Sequence, residues 1–237
     1  SVLMCLSFMP LAAFADGETE TENYLEVIGI NGFESEKFAS FEAAYTAIKP
    51  VLATLGGLTE ETTTVEKFDD LFTDVDENGD ATLTYKIHGS LTYDETNCPN
   101  LISMGRGASH YITDTRHLIK FVFEGADADR ASTLTVNSRV NLPYEWWGEK
   151  KVTSLHLSNL TVKGQKFVPY AANNGCFEAL DFAVDNCNFC VGIHDFTNVP
   201  GTVTVTNSTF NGTDASANDY AIHIQGHTDS AKEIVIK

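Results

Sequence analysis

Three copies of one short pattern restrict what this chain can fold into. Each copy alternates apolar and polar residues twice and ends on asparagine: Leu155-x-Leu157-x-Asn159, Phe182-x-Val184-x-Asn186 and Val203-x-Val205-x-Asn207. An apolar residue follows three places later, at Val162, Phe189 and Phe210, and a glycine closes each copy at Gly164, Gly192 and Gly212. The asparagines are spaced by 27 and 21 residues. Self-similarity at that period is the signature of stacked repeats.

The physics of the unit is readable. Period-two alternation makes a strand with one buried face. Asparagine tolerates a left-handed backbone better than any residue except glycine, so it suits a sharp corner between two strands. A single unit has an apolar face and nothing to cover it. Stacking the units gives a continuous apolar interior, with Asn159, Asn186 and Asn207 in a ladder. The expected fold is mainly β: a right-handed parallel β-helix. A leucine-rich repeat would need denser leucine, and Phe, Val, Cys and Ile do the filling here.

Chain order suggests a division into four parts. Residues 1–15 (SVLMCLSFMPLAAFA) are apolar and uncharged, and Ala13-Phe14-Ala15 before Asp16 has the form of a cleavage site. They are expected to be part of a signal peptide, which implies export. Residues 16–23 form an acidic linker. Residues 24–80 form a small α/β cap: a strand over Tyr24–Ile30, a helix capped by Ser40 with Phe41, Ala44, Tyr45 and Ile48 on one face, and a second helix with Val65, Phe68, Leu71 and Phe72. Pro50 should end or kink the first helix. Residues 81–237 form the β-helix, in which Leu134-x-Val136-x-Ser138 reads as an earlier rung with serine replacing asparagine. Glu233-Ile-Val-Ile-Lys237 begins a further rung, so the repeat is expected to continue past Lys237.

A resemblance accompanies this pattern. The segment Phe38-Ala39-Ser40-Phe41-Glu42-Ala43-Ala44, followed by rungs such as VTVTNSTFNG over residues 203–212, resembles exported bacterial surface proteins of the pectin-lyase-like β-helix superfamily. It covers most of the mature chain. It implies a secreted or cell-surface protein, either adhesin-like or a polysaccharide lyase or glycoside hydrolase. The lyases of that superfamily use Asp-bound calcium and a basic residue, and the polygalacturonases use clustered Asp. No stretch here reproduces either motif.

Charge narrows the partners. The chain has 33 Asp and Glu against 15 Lys and Arg, a formal charge of −18. Nucleic acid and anionic membrane surfaces are thereby disfavoured, and no later apolar run could span a bilayer. Extracellular polysaccharide or a host surface ligand fits better. Tyr144, Trp146 and Trp147, in LPYEWWGEK, are the expected ligand platform, because exposed rings stack on sugar faces.

Other candidates are local. Asp74, Asp76, Asn78 and Asp80 resemble the start of an EF-hand-type calcium loop, but the twelfth position is Tyr85 instead of a bidentate acid. The alternative is an acidic turn leading into a strand. The outward set on the three rungs is Ser154, His156 and Ser158, then Asp181, Ala183 and Asp185, then Thr202, Thr204 and Thr206. Asp181 and Asp185 near His156 suggest acid–base chemistry, yet four residues on one strand span about 13 Å. Glycosidase carboxylates stand roughly 5–9.5 Å apart. His194-Asp195 has the form of an oriented base, with no nucleophile in evidence. Of the cysteines after the leader, Cys98, Cys176, Cys187 and Cys190, buried free thiols are expected at Cys187 and Cys190. A structural spacer remains the third functional reading.

Overall fold

The structure is a computed structural model in which residues 22–34, 36–56, 71–94, 96–98, 119–137, 140–141, 153–164, 169–170, 182–193, 202–213, 221–222 and 233–237 are described. The protein is mainly β, with parallel sheets. Its elements are β1 (Tyr24–Ile28), β2 (Lys37–Phe38), α1 (Phe41–Gly56), β3 (Ala81–His88), β4 (Ser90–Tyr93), β5 (Ile119–Gly125), β6 (Thr133–Val136), β7 (Val140–Asn141), β8 (Thr153–Ser158), β9 (Thr161–Gly164), β10 (Pro169–Tyr170), β11 (Phe182–Asp185), β12 (Asn188–Phe189), β13 (Thr202–Thr206), β14 (Thr209–Phe210) and β15 (Glu233–Ile236).

The chain alternates between two sheets. An eight-stranded sheet runs in the order β15-β13-β11-β8-β5-β3-β1-β2, and a five-stranded sheet runs β14-β12-β9-β6-β4. Every pairing from β3 to β15 is parallel, whereas β1 joins β3 and β2 in antiparallel register. Five repeat units therefore give one strand to each sheet: β3 with β4, β5 with β6, β8 with β9, β11 with β12, and β13 with β14. A sixth begins with β15. A short parallel pair, β7 with β10, lies outside both sheets.

The alternating pattern explains the core. In the large sheet Leu83, Phe121, Leu155, Phe182 and Val203 stand in one register column, and Tyr85, Phe123, Leu157, Val184 and Val205 in the next. All ten are buried. Each such side chain contributes about 1.5–3 kcal/mol relative to exposure. Phe189 continues the interior across the corner, paired with Val162 and stacked on Phe210 at 5.0 Å.

The first helix lies over the start of the stack. Ser40 caps it, its Oγ accepting the Ala43 amide at 3.1 Å. Phe41, Ala44 and Ile48 are buried and Tyr45 is half-buried, as their spacing predicts. Phe41 meets Tyr93 edge-on at 5.4 Å and Phe123 at 5.6 Å. Pro50 does not end the helix, which runs on to Gly56. Its exposed ring faces solvent, so the helix loses one hydrogen bond without a clash against the core.

Two further expectations are corrected. Leu71 and Phe72 are not helical. Phe72 bridges Ile30, and the amides of Asn31 and Thr73 donate to Leu71 and Gly29, which buries the Phe72 ring. Before residue 81, β1 covers the edge of the first repeat strand, pairing with β3 in antiparallel register. Leu134 and Val136 belong to the five-stranded sheet, aligned with Val162 and Gly164, and not to the sheet that carries Leu155 and Leu157, while Ser138 lies outside the described residues. The true second-unit counterpart of Leu155 is Phe121. Nine residues separate Glu124 from Thr133, where three separate Ser158 from Thr161, and this inserted loop shifts the pattern. Val65, Phe68 and the signal-like residues 1–15 lie outside the described residues.

Candidate functional site

The asparagine ladder is a corner device. Asn159, Asn186 and Asn207 have φ of 58°, 52° and 52°, the left-handed conformation their type tolerates. Gly89 takes the same role in the first unit, with φ of 66°. The side chains then tie the corners together: Asn186 Nδ2 donates to Asn159 Oδ1 at 2.8 Å, and Asn207 Nδ2 to Asp185 Oδ1 at 2.8 Å.

One member of this column was not legible as such. In the second unit the corner is the loop 126–132, and its left-handed residue is Arg130, at φ 67°. The guanidinium reaches along the column. Its Nε donates to Asn186 Oδ1 at 2.8 Å and its terminal nitrogens to Asn207 O at 3.0 Å and Thr209 Oγ1 at 3.5 Å. Thr161 Oγ1 donates to Arg130 O. Arg130→Ala removes charge-assisted hydrogen bonds to three acceptors and should cost about 1.5–3 kcal/mol. Thermal melts should show the loss, and Arg130→Lys should recover only part of it, because an ammonium lacks the planar fork.

Of the nominated catalytic residues, Asp185 is the best defined, and it is committed to structure. Its Oδ1 accepts Thr206 Oγ1 at 2.7 Å as well as the Asn207 amide. The Thr206 hydroxyl first, and then the Asn207 amide, hold its carboxyl below the usual aspartate range. A carboxylate so held is a poor general acid. The corresponding stability is present above the unfolded value of about 3.9 and is lost as pH falls through the lower folded value. Asp185→Asn should therefore flatten part of the acid limb of a stability-against-pH curve. Identical limbs in both proteins would refute that role.

The remaining candidates divide clearly. His156 lies opposite Ala183 and Val122 on the outer face of the large sheet. Asp181, His194, Asp195, Tyr144, Trp146, Trp147 and Cys176 lie outside the described residues. Asp74–Asp80 forms a tight turn into β3. Asp76 Oδ1 accepts the Asn78 and Asp80 amides at 2.8 and 3.0 Å. The Asp80 amide first, and then that of Asn78, lowers the Asp76 carboxyl pKa. Tyr85, the would-be twelfth ligand, is buried in the core. No group of three or more His, Cys, Asp or Glu among the described residues is placed to hold a metal ion. Cys187 and Cys190 are buried free thiols, Cys98 is buried with its Sγ donating to Asp94 O at 3.0 Å, and burial pushes the Cys187 thiol up to about 12.

A concavity that sequence reasoning missed lies at the corner of the first unit. It has a volume of about 590 Å³ and is lined by residues from three places: Glu22 to Tyr24, His88 to Ser90, and the loop around Asp127 and Ser132. The strand order β5-β3-β1 explains the assembly, since Tyr24 pairs with His88 and Ala126 follows the end of β5. The rings of Tyr24 and His88 stack at 4.0 Å, and Lys37 Nζ lies 4.0 Å from the Tyr24 centroid. With β2 and β3 on opposite sides of β1, the ammonium takes the face that His88 leaves. His88 Nε2 is shielded from solvent and stands 3.3 Å from Glu26 Oε2, within ion-pair range but not aligned as a hydrogen bond. Lys37 also approaches Glu22 at 3.7 Å. The available signal was His88 immediately before a corner glycine, on the outward phase of β3.

No helix among the described residues is long and apolar enough to cross a membrane. No protein-family model matches the chain, and no curated protein or solved structure is significantly similar to it.

Proposed function

We propose that this chain is a secreted or cell-surface right-handed parallel β-helix that binds glycan. The two parallel ladders, with one strand of each per repeat, support the β-helix. Crossovers between parallel strands are right-handed in almost all cases, which supports the hand. The single observation that carries the binding function is the concavity of about 590 Å³ at the first corner. Its size lies in the range of ligand pockets. Its wall combines a stacked ring pair with carboxylates and serine hydroxyls, the groups that meet a sugar's ring face and hydroxyls. Trp146 and Trp147 remain candidates for a second contact with a long glycan.

The His88–Glu26 pair favours a second reading, a lyase or hydrolase acting on extracellular polysaccharide. An imidazole beside a carboxylate is a pairing that general acid–base chemistry uses. Both readings are tested by incubating the full chain with neutral, amine-bearing and acidic polysaccharides, then measuring retention, reducing ends and unsaturated products. Retention without cleavage is expected. Cleavage that is lost in His88→Gln would replace binding with catalysis. Neither retention nor cleavage would refute both and leave the spacer reading.

A further inference from the structure

We infer that the concavity at the first corner is a subsite for a sugar bearing a free amine. The inference rests on the glycan-binding reading and narrows it to one class of ligand. The walls carry carboxylates on both sides of His88. Glu22 comes from the segment leading into β1, and Asp127 from the loop after β5. No lysine or arginine is among the described residues that line the space. The nearest ammonium described there, Lys37, sits against the Tyr24 ring and draws on Glu22 from outside. Asp127 has no such neighbour among the lining residues.

Asp127 therefore brings to the concavity a carboxylate that no cation among the described lining residues answers, within a chain of formal charge −18. Low-dielectric walls of one sign concentrate counter-ions. A uronate would bring a third carboxylate against Glu22 and Asp127. A neutral sugar would meet the rings and Ser90 but leave the charge unanswered. A protonated amine answers it, while the sugar hydroxyls reach Ser90 and the stacked Tyr24–His88 pair flanks the ring.

The test is calorimetric titration of the full chain with three probes: a glucosamine tetramer, its fully N-acetylated form and a galacturonate tetramer. The glucosamine tetramer should bind at least about tenfold tighter than the acetylated form, with no binding of the uronate. Asp127→Asn and Glu22→Gln should each weaken it about three- to tenfold, with the circular dichroism spectrum unchanged. Glu42→Gln, at the start of α1, removes one charge outside the concavity and should leave affinity unchanged. Equal losses in all three variants would show diffuse attraction to an acidic surface and overturn the inference. So would equal binding of the acetylated tetramer. If a glycan binds with full affinity in Asp127→Asn and Glu22→Gln but is lost in Trp146→Ala, the glycan reading stands and this site does not. If no glycan from the wider panel binds, the glycan reading itself falls.

Discussion

Val184→Asp is expected to abolish cooperative folding at neutral pH. Val184 is fully buried and lies in ladder register between Leu157 and Val205, both buried in turn. An aspartate there has no inward counter-charge, because the column is built from Tyr85, Phe123, Leu157 and Val205. An unpaired buried charge costs several kcal/mol, and in practice such a group takes up a proton instead. A loss of about 4 kcal/mol or more is a large share of the ordinary 5–15 kcal/mol. Val205→Asp, in the same column and also buried, should be severely destabilising for the same reason. The folded pKa of the introduced aspartate is raised, so its penalty is largest above that value and shrinks as pH falls through it. Melting curves at pH 7 and pH 4.5 should place both Val184→Asp and Val205→Asp below the parent, with the gaps narrower at pH 4.5. A Val184→Asp protein that melts with the parent at pH 7 would refute the inward register.

Phe41→Ala is the second large effect. Phe41 is buried and meets the rings of Tyr85, Tyr93 and Phe123 at 6.3, 5.4 and 5.6 Å. Removing a buried phenyl ring typically costs 3–5 kcal/mol, the spread reflecting how far the site can collapse. Collapse is limited here, since Tyr85, Tyr93 and Phe123 are themselves held by parallel ladders. The loss should also be local in character. The helix packs on β1, β2 and β4 and reaches Tyr85 on β3 and Phe123 on β5, all at the start of the stack. Hydrogen exchange should accelerate first in α1 and β1, while amides of β8, β11 and β13 keep more of their protection. Phe41→Leu should recover most of the stability. Uniform loss of protection across all strands would place the helix inside one cooperative unit with the whole stack.

The sequence showed the inward and outward phases of the rungs because period-two alternation records burial directly. It showed Asn159, Asn186 and Asn207 as corners because a left-handed backbone selects few residue types. It misled where one residue broke that rule. Arg130 takes the corner conformation in the second unit, with a side chain that gives no such signal. The inserted loop around it also moved Leu134 and Val136 onto the other sheet. Pro50 did not end the helix, because one missing amide leaves the hydrogen bonds of the flanking turns in place. The concavity at the first corner was not legible because Glu22, His88 and Asp127 are distant in sequence. Strand order, not spacing, brings them together.

Arg130 also alters how the stack should come apart. In most stacked-repeat proteins each unit feels only its immediate neighbours, so an end can unzip one step at a time. Here a side chain from the second unit holds Asn186 in the fourth and Asn207 and Thr209 in the fifth, while its own carbonyl accepts from Thr161 in the third. The Asn186 amide returns the contact through Ala128 O. Peeling away the fifth unit therefore strains a tether anchored three layers below. The range of coupling exceeds one layer, and under load the middle of the molecule should yield as a block, in one step and not as a ladder of small ones.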